Sequence, residues 1–191
     1  MKTDIILAGV GGQGILSVAA VIGEAALEDG LFMKQAEVHG MSQRGGDVQS
    51  HLRISDRPVA SDLIPLGQAD VILSLEPMEA LRYLPYLKKD GWVITHSEPF
   101  ENILHYPEMA EVMSAYQILP HKIILNVEQI AKDLGAPRSG NIVLLGAAAP
   151  YLPIEFSKLE NGIRRIFGKK GETVVEMNLR ALKAGMLSFR Q

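Results

Sequence analysis

Two short stretches hold the residue types that could do chemistry. The first is Gly9-Val10-Gly11-Gly12-Gln13-Gly14, a G-x-G-x-x-G run with one extra glycine. After a strand and before a helix, such a run lets backbone N–H groups and a helix N-terminus hold a phosphate. It can equally be a tight strand-to-helix turn with no ligand, and the motif alone leaves both readings open. The second is EVHGMSQRGG, residues 37–46, a polar loop punctuated by glycine. Glu37 lies near the place where a dinucleotide-binding unit puts its ribose-binding acid, about 20 residues beyond the glycines. Arg44 offers a planar fork suited to phosphate or carboxylate, and it could also be a solvated charge or an ion-pair partner. His39 can serve a site or simply hydrogen-bond a carbonyl. Ser42 lacks the G-x-S-x-G context of an activated nucleophile. Met41 reads as a packing or interface residue. The histidines show no metal-ligand spacing, so no metal site is expected.

These stretches need elements to position them. Residues 4–8 read as a buried strand, 15–29 as a largely apolar helix closed by Gly30, and 32–38 as a second strand. Residues 47–54 alternate with period two, with Val48, Leu52 and Ile54 on one face. Gln49, His51 and Arg53 fall on the other, which is predicted to be wet. This strand follows its predecessor too soon for a helical crossover, so it is expected to run antiparallel or to lie at an edge. Residues 70–75 and 91–95 and the HKIILN segment are further strands, and 76–87 reads as a helix kinked or ended by Pro85. Short helices are expected around 108–115 and over 127–134. The C-terminal third predicts helices over 139–149, 154–167 and 171–189. The pattern indicates one α/β domain over residues 1–191: three-layer, Rossmann-like, with a mostly parallel sheet, one antiparallel or edge strand, and a helical C-terminal segment. In a parallel sheet the ends of the first two strands lie together, so the two loops are expected to face one site.

Composition narrows the function classes. The chain has 191 residues, a net charge of −3 and no cysteine. No polybasic block points to nucleic acid, and no thiolate is present to ligate an iron–sulfur cluster. No apolar run is long enough to span a membrane and no secretory signal is visible, so a cytoplasmic location is expected.

The GVGGQGI loop, the EVHGMSQRGG loop, ADVILSLEPMEALRYLPYL, NIVLLGA and EMNLRALKAG occur in this order along nearly the whole chain. Together they resemble the gamma-type subunit of 2-oxoacid:ferredoxin oxidoreductases, and most of all the small subunit of the indolepyruvate enzymes. The resemblance implies a subunit of an enzyme that oxidatively decarboxylates a 2-oxoacid to an acyl-CoA and reduces ferredoxin. Thiamine diphosphate and iron–sulfur clusters would be held by a large catalytic partner subunit, with coenzyme A in the complex and no cofactor held by this chain alone. The matching positions, Gly9, Gly11, Gly12, Gln13 and Gly14 with Glu37, His39, Gly40, Met41, Ser42, Gln43, Arg44 and Gly45, are then candidates for cofactor or partner binding and not for catalysis. A homodimer is the assembly considered for the isolated chain. The competing reading is a free-standing NAD-dependent oxidoreductase, with the glycines on a pyrophosphate and Glu37 on a ribose.

Overall fold

The computed structural model describes residues 1–39, 45–101 and 103–188. Six strands form one sheet: β1 (Lys2–Val10), β2 (Phe32–His39), β3 (Asp47–Ser55), β4 (Ala69–Ser74), β5 (Leu87–His96) and β6 (Lys122–Leu125). Their order is β2-β3-β1-β4-β5-β6. β1, β4, β5 and β6 pair in parallel, while β3 is antiparallel to both β1 and β2.

Strand parity divides the sheet into two dry faces. Ile5, Leu7, Leu52, Ile54, Val71, Leu73 and Ile94 form one core with helices α1 (Ile15–Glu28), α4 (Val127–Asp133), α5 (Gly140–Ala148), α6 (Phe156–Phe167) and α7 (Glu172–Ser188). Ile6, Ala8, Ala69, Ile72 and Val93 form the other, with α2 (Pro77–Arg82), α3 (Met109–Gln117) and Ile64. A strand buried on both faces reads as a continuous apolar run, which is why DIILA and DVILSL carry no alternation. The three layers, the mainly parallel sheet and the helical C-terminal third agree with the sequence reading.

Three expectations need correction. β1 and β2 are not neighbours, because β3 lies between them; β3 itself runs antiparallel, one of its two expected placements, and β2 lies at the edge. Periodicity records which face a residue takes and not the order of the strands. The Gln49–His51–Arg53 face of β3 is not wet at His51 and Arg53, which are both buried. The segment after β3 crosses that face: Ile64 donates its N–H to His51 Nδ1 at 2.9 Å, and Arg53 donates to the carbonyls of Ser61 and Leu63. Burial and the nearby Arg53 charge both lower the His51 pKa, so the imidazole stays a neutral acceptor. The helix expected over 76–87 stops at Arg82, and after a 3-10 turn over Leu84–Tyr86 the chain is already in β5 at Leu87. Pro85 ends that helix by removing a donor.

Candidate functional site

β1 ends at Val10 and α1 begins at Ile15, so the glycine loop is the whole connection. Gly12 and Gly14 have φ of 105° and 87°, a region that side chains with a Cβ rarely adopt. Gly11 does not, so a side chain would be strained by the backbone at Gly12 and Gly14 and not at Gly11. A Cβ on Gly12 would meet nothing within 4 Å, so its Cα faces open space. A Cβ on Gly14 would meet Asn141 Nδ2 at 2.6 Å. Gln13 holds the loop: its Oε1 accepts from Val10 N at 2.7 Å and its Nε2 donates to Leu75 O at 3.1 Å. That side chain closes the crevice between the carboxyl ends of β1 and β4. There α1 and α2 leave for opposite faces of the sheet, the place where open α/β sheets bind ligands.

Gly14 is the N-cap of α1 and no side chain caps that end. Ser17 N donates to Gly14 O at 3.1 Å, the N–H groups before it lie ahead of the intrahelical ladder, and the helix dipole adds positive potential there. A cavity of about 500 Å³ opens against this end, with Gly12, Gly14 and Ser17 on one wall and Arg138, Ser139 and Lys170 also lining it. Phe167, Val174 and Met177 make an apolar side, and Lys170 Nζ stands 5.3 Å from the Phe167 ring centroid. Asn141, in the first turn of α5, donates to Gly14 O at 3.1 Å and so ties the two helix starts together. A second hollow of about 330 Å³ adjoins Gly12, Gln13 and Arg138 on the side of His96 and Glu128. The arrangement can take an anion at the α1 start with two cations in reach, and a flat apolar group beside it.

The residues predicted from sequence meet only in part. Gly46 O accepts from Gly11 N at 2.8 Å, and Gly45 N donates to Gly11 O at 3.4 Å, so the end of the second loop does touch the glycine loop. That contact uses the Gly11 N–H, which is then not free for a phosphate. Glu37 is exposed on β2, beyond β3, where its carboxylate accepts from Gln35. Neighbouring strands stand about 4.8 Å apart, so a ribose bound at the end of β1 is not within hydrogen-bonding reach of Glu37. Gly40, Met41, Ser42, Gln43 and Arg44, and the side chain of His39, lie outside the described residues. Sequence reasoning missed Arg138, Lys170 and Asn141. The P-R-S-G-N run before a small-residue helix was the available signal, since it reads as the loop opening α5.

A buried acidic pair sits on the opposite face of the sheet. Glu76 caps α2 by accepting from Glu79 N at 2.7 Å, and it also accepts from the Tyr106 hydroxyl. Glu79 is 2% exposed, meets Arg82 Nε at 3.2 Å through Oε1, and leaves Oε2 buried without a hydrogen bond. Burial pushes its pKa up to about 7 against the pull of Arg82. A carboxyl raised in the folded state adds stability that is complete below its unfolded pKa and is lost as pH rises through the folded value. The window is therefore pH 4.5 to 7. Glu79→Gln is expected to be more stable than the parent by about 1–2 kcal/mol at pH 8 and to show no such gain at pH 5. Thermal melts of both chains across that range check it, and an equal difference at the two pH values refutes the assignment.

Comparison with known proteins places this geometry. The sequence profile of the family described as pyruvate ferredoxin/flavodoxin oxidoreductase matches residues 4–188. The indolepyruvate oxidoreductase subunit IorB of Archaeoglobus fulgidus is 38% identical, over 97% of this chain and 94% of that protein. IorB of Methanothermobacter thermautotrophicus is 37% identical, over 97% and 96%. The keto/oxoacid ferredoxin oxidoreductase gamma subunit of Geobacter sulfurreducens has the same fold, with a TM-score of 0.68 at 29% identity over 97% of this chain and 94% of that one. The 2-oxoglutarate:ferredoxin oxidoreductase of Magnetococcus marinus, solved with 2-oxoglutarate, coenzyme A and succinyl-CoA bound, has a TM-score of 0.75 at 23% identity. This chain spans only 30% of that protein, and the likeness bears on the fold alone. The chain belongs to the pyruvate ferredoxin/flavodoxin oxidoreductase family.

Proposed function

We propose that this chain is the small subunit of an indolepyruvate-type 2-oxoacid:ferredoxin oxidoreductase, and that its glycine-loop cavity receives the nucleotide end of coenzyme A. The reading rests on the family and on one observation: the uncapped start of α1 opens into a cavity lined by Arg138 and Lys170 on its polar side and by Phe167 on its apolar side. A phosphate fits the first and an adenine ring the second. The sequence has no cysteine, so iron–sulfur clusters must be ligated by the partner subunit, which would also hold thiamine diphosphate. Those groups would supply the carbanion and electron-transfer chemistry, while this chain binds and orients the acyl acceptor. The carboxyl edge of the sheet, carrying both loops, would face that partner, and ferredoxin would be met by the complex as a whole. A free-standing NAD enzyme is less well supported, because β3 separates Glu37 from the glycine loop.

The test uses the complex rebuilt from this chain and its partner. A charge-assisted hydrogen bond contributes on the order of 1.5–3 kcal/mol, so Arg138→Ala should raise the KM for coenzyme A by roughly ten- to a hundredfold. The KM for the 2-oxoacid should stay unchanged. An unaltered KM for coenzyme A in both Arg138→Ala and Lys170→Ala sinks the reading.

A further inference from the structure

The outer side of β2 is a free sheet edge, since β2 pairs only with β3 among the described strands. Apolar side chains flank that edge on both faces. On the α2 face Phe32 and Val38 are 48% and 51% exposed. On the α1 face Leu16 and Leu27 are 45% and 59% exposed and share one side of α1 with Ala20 and Gly23. Gly23 packs on the Met33 sulfur, which turns that side toward β2 and away from α6. The one charged side chain on the α2 face of β2, Lys34, is bound back to Ala60 O at 3.0 Å, so its ammonium does not guard the edge. Solvent-facing edges are usually blunted by charge, proline or bulges, and β2 has eight regular residues without proline.

We propose that this edge joins a second copy of the same chain, β2 against β2 and antiparallel about a two-fold axis normal to the sheet. Register selects this pairing, whatever ligand the glycine-loop cavity takes. Residues directly opposite in an antiparallel pair point to the same face, and this two-fold keeps each face with its equivalent. A residue can therefore oppose only one of its own parity. Centring on Gln35 sets Phe32 opposite Val38 of the second copy, twice, with Lys34 opposite Ala36 and Met33 opposite Glu37. Centring on Lys34 would set Phe32 opposite Ala36 and carry Val38 past Phe32, where the strand begins. Centring on Ala36 would carry Phe32 beyond His39, where the strand ends. The Gln35 register alone pairs the exposed apolar residues and opposes no like charges. It also brings the two Leu16–Leu27 stripes to the seam on the α1 face.

The cysteine-free chain makes the register measurable, since any disulfide must come from an introduced thiol. Cβ atoms directly opposite each other lie near disulfide distance, whereas those one step along the seam do not. With oxidised glutathione, the full-length Gln35→Cys chain should form a linked species of twice 20.9 kDa, and Lys34→Cys and Ala36→Cys should not. Phe32→Asp should halve the mass seen by light scattering while leaving the circular dichroism unchanged. A monomeric parent chain at tens of micromolar, or linking through Lys34→Cys or Ala36→Cys in place of Gln35→Cys, overturns the proposal. Loss of the Gln35→Cys link when the catalytic subunit is added would overturn it too, because the edge would then belong to that partner.

Discussion

Gly185→Ala should lower the thermal midpoint by roughly 6–12 °C, the largest loss expected from a single added methyl group in this chain. α5 and α7 approach so closely that backbone meets backbone. A Cβ on Gly185 would stand 1.9 Å from Val143 O, and one on Gly146 would stand 2.1 Å from Leu182 O. Carbonyl oxygens in helices cannot swing aside as a side chain would, so the helices must separate. α5 is buried along most of its length, with Ile142 to Ala148 enclosed, and it has no free direction in which to retreat. The separation loosens Val143, Leu182 and their neighbours together, where the interior is packed to crystal density. Overpacking costs of this kind are typically 1–3 kcal/mol and exceed that when the backbone is the obstacle, so about 3 kcal/mol is expected. Gly168→Ala is the control, because a Cβ there would touch nothing within 4 Å. Equal melting temperatures for Gly185→Ala and Gly168→Ala would show that the helices part without cost.

Legibility in the sequence followed what local physics controls. Element types were readable because Ile5 to Leu7 and Val71 to Leu73 are unbroken apolar runs between glycines or polar breaks, and because α6 alternates apolar and charged sides with a helical period. Strand order was not readable: β3 pairs with β1 and β2 alike, and nothing in EVHGMSQRGGDVQSHLRI says which of them is its inner neighbour. The covered polar face of β3 was missed because a buried Arg looks like an exposed one until its partner Asp4, far away in sequence, is placed beside it. The glycine loop was legible because its φ values demand glycine at Gly12 and Gly14. Its charged neighbours were not. Arg138 and Lys170 reach it through the return of α5 and α7 onto the α1 side of the sheet, a contact that no local pattern encodes.

Arg53→Met should cost roughly 3–5 kcal/mol of stability and leave the carboxyl-edge site intact. Arg53 Nε and one Nη donate to the two oxygens of Asp4 at 2.9 and 3.1 Å, and the other Nη donates to Ser61 O and Leu63 O. Asp4 is 0% exposed, so removing the guanidinium leaves a buried carboxylate with Lys2 Nζ, at 2.9 Å, as its remaining cation. It also removes the donor to the Ser61 and Leu63 carbonyls, which ties residues 61–63 down over the sheet. The dominant loss is the uncompensated charge and not the ion pair itself, because burying both ions was already costly. Asp4→Asn combined with Arg53→Met should therefore recover much of the loss, although each single change is harmful. The pair lies toward the N-terminal end of β1, away from Gly12 and Arg138, so coenzyme A dependence in the rebuilt complex should not shift. A double variant as unstable as the sum of the two single variants would mean that the two residues are not coupled, so that no stranded charge causes the loss.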